Sequence, residues 1–245
     1  MGMTPAVSFG ALATQAGGIV AAVRDAAART GTDFAYLMAQ ARVESGLDPR
    51  AQARTSSARG LYQFTNATWL DTVRRHGAEH GLGWAANAIA SGGAKAGSAA
   101  RDTILGLRDN AEAAALMAGE FAHDNAERLE KRLGRAAGAT DLYMAHFLGA
   151  GGAVKFLGVM AAAPTTAAAA IMPAAAAANR SVFYHRDGTA RTVAQVYERF
   201  AAKLGVQHPH PARQVPSPTS PSRGEVTFDA SRARLAYLLL AELGG

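Results

Sequence analysis

The stretch from Thr32 to Ser45 constrains this chain more than any other part of it. Phe34, Leu37, Met38 and Ala41 recur at i, i+3, i+4 and i+7, which makes one apolar helical face. Ala35, Tyr36, Ala39 and Val43 fill much of the other side, and before the end only Gln40 and Arg42 are plainly polar. A helix that is apolar nearly all round has to be buried, so the rest of the chain must wrap around it. Thr32 or Asp33 can cap its N-terminus. The run Glu44-Ser45-Gly46-Leu47-Asp48-Pro49 stops it with Gly and Pro punctuation.

The chain can supply such a wrapping. Of its 245 residues, 49% are hydrophobic and 18% charged, enough to build a sizeable core. Alternating strand patterns are scarce, so the expected class is all-α, or an α-dominated α+β fold, around the central helix. The sequence divides into an N-terminal segment (1–24), a main domain (25–205), a Pro/Ser-rich linker (206–224) and a C-terminal helix (225–245). That last helix would be capped by Asp229 or Ser231, with Leu235, Leu238 and Leu239 on one face. No internal repeat is evident.

There is no cysteine, which excludes disulfides and thiolate chemistry. The net charge of +6 suits a polyanionic partner. Most Lys and Arg residues occur singly, without interleaved aromatics, which argues against nucleic acid as that partner. The long uncharged tract Gly158 to Asn179 is dominated by Ala and broken by Pro164 and Pro173, a poor transmembrane span. Residues 1–23 lack a basic n-region before their apolar part, so no clear signal peptide is present.

Glu44 is the residue that could carry chemistry. At 100° per residue it lies about 20° from Leu37 around the helix axis, on the edge of the buried face. The negative end of the helix dipole and desolvation both disfavour its ionised form, which predicts a raised pKa. A carboxylic acid kept protonated near neutral pH can protonate a glycosidic leaving oxygen. The plainer reading is a helix-end carboxylate in water or paired with Arg42 or Arg50.

The downstream residues favour the first reading. Glu44-Ser45 is followed by Pro49-Arg50-Ala51, then by Ser57-Ala58-Arg59-Gly60-Leu61-Tyr62-Gln63, then by Thr68-Trp69. This order and spacing resembles the soluble (SLT-type) lytic transglycosylases, relatives of goose-type lysozyme, over about residues 30 to 160. The resemblance implies a lysozyme-like domain that cleaves peptidoglycan between N-acetylmuramic acid and N-acetylglucosamine. Glu44 would be its single general acid/base, and the product would be a 1,6-anhydro sugar. It also implies substrate-site roles. Gly60 would allow a tight turn beside the glycan, and Gln63 would bond the sugar or hold the cleft wall. Tyr62 or Phe64 would line the cleft, and Ser45 and Ser56 would help orient the carboxylate. No metal or organic cofactor is implied, and peptidoglycan glycan strands are the partner. The expected place of work is the periplasm or cell envelope.

Three departures from the family pattern matter. Ser57 stands for the first Gly and Tyr62 for the usual Met. The downstream Ala-Tyr-Asn-x-Gly block becomes Ala145-His146-Phe147-Leu148-Gly149, within a segment, Tyr143 to Gly152, expected to form a cleft wall. His146 then stands where the family has a tyrosine facing the glutamate. It can still donate a hydrogen bond, and it adds a group that titrates near neutrality.

Other readings stay open. Water could attack in place of the sugar hydroxyl, giving a muramidase. Asp48 and Asp71 are the nearest candidates for a second carboxylate. An altered cleft could make a catalytically dead peptidoglycan-binding module. His76-Gly77-Ala78-Glu79-His80 fits the H-x-x-E-H pattern of a zinc metallopeptidase, with Glu112 or Glu120 as a further ligand. The C-terminal helix could fold back or engage an envelope-assembly partner. Residues 161–178 could form a loop closing one cleft end.

Overall fold

In a computed structural model the protein is all-α. The structure describes residues 9–54 and 56–205, so the predicted linker and C-terminal helix lie outside the described residues. Pairing between extended segments is limited, among the described residues, to isolated bridges such as Gln52 with Arg59 and Arg59 with Phe64.

The central helix forms as its periodicity predicts. Helix α2 spans Phe34–Ser45, with Tyr36, Leu37, Gln40, Ala41, Glu44 and Ser45 buried. Asp33 is its cap, accepting from the Tyr36 amide at 2.7 Å. Thr32 lies one residue before the cap, and its hydroxyl donates to the Gly119 carbonyl. Gly46 ends the helix at φ 65, and its amide returns to the Ala41 and Arg42 carbonyls.

The wrapping comes from long helices. Helix α1 (Phe9–Thr30) runs along α6 (Ala111–Leu133) and also touches α2. The close crossing of α1 and α6 needs a small residue, since a Cβ on Gly119 would meet Thr30 Oγ1 at 2.4 Å. Helix α7 (Ala139–Ala162) packs on α6, and α11 (Val193–Leu204) packs on both α7 and α2.

Between these lie α3 (Asn66–His76), α4 (Gly83–Ala90) and α5 (Ala99–Gly106). Thr65 caps α3, and fully buried Trp69 donates from Nε1 to the Ile104 carbonyl at 2.7 Å, tying α3 to α5. Residues 161–178, the tract that could form a cleft-closing loop, hold two short helices, α8 (Ala168–Ile171) and α9 (Pro173–Ala178), and α10 (Arg180–Phe183) follows.

Helix α7 is long and apolar enough, by length and composition, to cross a membrane. It breaks its helical geometry at Gly149 (φ 71, ψ 158) and buries Asp141, Tyr143 and His146. Those polar residues face the protein interior, which is how a core helix behaves.

Candidate active site around Glu44

Glu44 is 3% exposed. From α7, the Tyr143 hydroxyl donates to Glu44 Oε1 at 3.0 Å. His146 Nε2 lies 3.4 Å from the same oxygen. The two aromatic rings stack at 5.8 Å, which is what their spacing of three on one helix allows. Gln40, one turn before Glu44 on α2, places its amide nitrogen 3.1 Å from His146 Nδ1.

A third element completes the group. Lys203 of α11 donates from Nζ to the Tyr143 hydroxyl at 3.0 Å. Burial pushes Glu44 upward. The hydrogen bond and charge of His146, the Lys203 ammonium and the Tyr143 hydroxyl outweigh it and hold the carboxyl below its ordinary value. This corrects the expectation of a raised pKa: the helix end and desolvation are present, but three groups from other elements oppose them, Tyr143 and His146 in contact and Lys203 by its charge. Burial lowers the Lys203 ammonium, Glu44 acts to raise it, and Arg199 acts to lower it again, leaving it below the ordinary lysine value.

The loop after α2 is built tightly. Gly60 has φ +83, and a Cβ there would meet the Arg108 carbonyl oxygen at 2.0 Å. Its conformational freedom lets the turn close against the backbone of Arg108. Buried Arg108 returns the contact, donating from Nη1 to the Ser57 and Phe64 carbonyls and from Nε to Leu105. Burial pushes its guanidinium down to about 10.

Several predicted side chains turn inward. Gln63, at φ 51, donates to the carbonyls of Ala51 and Gly60 and so holds the loop closed. Tyr62 is 1% exposed, so it packs in the core in place of lining a cleft, and burial pushes its phenol upward. Phe64 is also buried, edge-on to Trp69 and Phe121. Ser45 donates to the Ala41 carbonyl, and Ser56 accepts from the Ala58 amide. Ser57, in place of the family glycine, accepts from the Asn66 amide.

The candidate second carboxylates are occupied locally. Asp48 accepts from the Arg50 amide in its turn, and Asp71 pairs with Arg74 and Arg75. The histidine motif does not lie on one helix, because α3 ends at His76 and a 3-10 turn carries Gly77–His80. Glu120 does join it, with His80 Nε2 at 2.6 Å and His76 Nδ1 at 3.3 Å. Possible ligand atoms of His76, Glu79 and Glu120 lie within 4.8 Å of one another. Arg75 binds Asp124 and reaches His76, and Arg29 reaches His80.

Sequence reasoning missed Tyr143, Gln40 and Lys203 as members of the site. Gln40 carried a usable signal, being polar on an apolar helix one turn before Glu44. Tyr143 stood at the edge of the expected cleft segment, hidden behind the motif alignment that put His146 opposite Glu44. Lys203 carried no local signal at all.

Residues 21–91 match the family model described as Transglycosylase SLT domain. The matched segment holds Glu44 and the whole loop through Phe64, and it stops short of Tyr143, His146 and Lys203. That match, which spans less than half of the chain, supports in general terms a lytic-transglycosylase-type function with peptidoglycan as the substrate class.

Proposed function

We propose that this protein is a lytic transglycosylase that cuts the β-1,4 bond between N-acetylmuramic acid and N-acetylglucosamine. The observation that carries the reading is the buried Glu44 carboxyl at the end of α2, addressed on one oxygen by both Tyr143 and His146. Glu44 in its acid form protonates the bridging oxygen, and the bond from that oxygen to the anomeric carbon breaks. The muramic N-acetyl carbonyl oxygen bonds the anomeric carbon and takes up its positive charge. Glu44, now a carboxylate, removes the proton from the C6 hydroxyl. That oxygen displaces the acetyl oxygen and closes the 1,6-anhydro ring, and Glu44 ends protonated as it began. One carboxyl does both proton transfers, unlike the usual pair of carboxylates in glycosidases.

The donors around Glu44 suit the second half of this cycle, in which the carboxylate must exist as a base. The net charge of +6 favours approach to an anionic wall, an effect that salt weakens. On this reading the enzyme works in the cell envelope or periplasm.

The test is mass spectrometry of the soluble products from purified peptidoglycan, with wild type and Glu44→Gln compared. Anhydromuropeptides from wild type alone are expected. Hydrated, reducing-end muropeptides from wild type alone would make the enzyme a muramidase. Binding to the wall without release of products would make it a binding module.

A further inference from the structure

Lys203 sits two residues before Gly205, the left-handed residue that ends α11. A lysine in the last turn of a helix is ordinary, since a cation there favours the helix dipole. The ordinary lysine, however, carries its ammonium out to water. This one carries it inward, to 3.0 Å from the hydroxyl of Tyr143, itself only 3% exposed. The Nζ atom lies 5.4 Å from the centre of the Tyr143 ring.

The donor inventory then fixes the direction of the contacts. An ammonium has hydrogens to give and no lone pair, so the Tyr143 oxygen accepts from Lys203. The single hydrogen of Tyr143 is left to point at Glu44 Oε1, 3.0 Å away. The order is Lys203 to Tyr143 to Glu44, across α11, α7 and α2.

We propose that Lys203 is a positioning residue: it locks the Tyr143 hydroxyl as a donor to Glu44 and favours the carboxylate form of the catalytic group. Among the described residues, the charged and titratable groups recorded along this chain of contacts include Glu44 from α2, Tyr143 and His146 from α7, and Arg199 beside Lys203 on α11. Lys203 touches no substrate in this role and acts through Tyr143. Its consequence for turnover rests on the reading of Glu44 as general acid/base. By favouring the anion, Lys203 assists the base step and makes proton delivery more demanding as pH rises.

The experiment is a titration of the Glu44 side-chain carboxyl by carbon NMR in the full chain, its resonance identified by its loss in Glu44→Gln. Lys203→Met removes charge and donor at similar length and is expected to move the titration to higher pH. Lys203→Arg keeps both and is expected to return it most of the way. Tyr143→Phe, which leaves α11 untouched, is expected to move it upward as well, and its combination with Lys203→Met to give less than the sum of the two shifts. The pH at which kcat/KM on peptidoglycan falls should move in the same direction as the carboxyl. A Glu44 titration unmoved in Lys203→Met, or moved equally by Lys203→Met and Lys203→Arg, overturns the proposal. Should Lys203→Met fail to fold, an unmoved titration in Tyr143→Phe overturns it. A shift seen in a protein that releases nothing from peptidoglycan would leave the Lys203 assignment standing and remove the enzymatic one.

Discussion

Tyr143 reaches Glu44 with its hydroxyl from one helical turn before His146, so two α7 side chains meet one carboxylate oxygen. The motif alignment places only His146 there. The structure shows a tyrosine kept in contact with the glutamate from a neighbouring position, with the histidine stacked beside it.

Removing that hydroxyl should be costly where Glu44 starts out protonated. A hydrogen bond to a charged group is worth about 1.5–3 kcal/mol, which corresponds to about 10- to 150-fold in rate. On the acidic side of the profile, where Glu44 is protonated in both proteins, Tyr143→Phe is expected to lower kcat/KM by up to that range and to leave the fold intact, since the ring is retained. Steady-state kinetics with a soluble muropeptide oligomer, together with circular dichroism, checks both halves.

Glu44 is held below its ordinary value in the free protein, and kcat/KM reports the free protein. The proton-donating form therefore grows scarcer as pH climbs through the depressed pKa. The expected profile of kcat/KM rises toward acidic pH, with its basic limb below neutrality. A plateau through pH 7 would contradict this ordering of charges.

The same depression links to stability. A carboxyl whose folded pKa lies below its unfolded value contributes stability above the unfolded value, and that contribution is lost as pH falls through the folded value. The window thus opens near the ordinary 4.5 and extends downward. Glu44→Gln is expected to flatten the fall of Tm with pH in that window, measured by calorimetry at constant ionic strength.

Gly60 and Arg108 give the clearest prediction for folding. Gly60→Ala places a methyl group on a backbone carbonyl at a left-handed position, and is expected to destabilise by at least about 3 kcal/mol. Arg108→Lys cannot reach the carbonyls of Ser57, Phe64 and Leu105 with one ammonium. It is expected to cost about 2–4 kcal/mol. Urea unfolding curves with unchanged slopes would measure both values.

The central helix, its stop at Gly46 and the all-α class are legible because local periodicity and capping carry them. The glycine at position 60 is legible as a special conformation, while its reason lies in the backbone of Arg108 on a distant segment. Tyr62 and Phe64 were expected at a cleft because a motif lists types without directions. In the structure both are buried in the core. The ionisation of Glu44 depends on Tyr143, His146 and Lys203, whose approach is a property of packing that no local pattern records.

The joining of α2, α7 and α11 at one carboxylate has a consequence for how the activity is born. Glu44 leaves the ribosome well before Tyr143, and Tyr143 well before Lys203, so the acid is first without either partner and then without its lysine. The chemistry waits on the docking of the last described helix, so a partly made or locally unravelled chain holds the glutamate without the surroundings that set its proton affinity. On the proposed reading, competence to cut the glycan strand is therefore expected to come late in folding, with completion of the core.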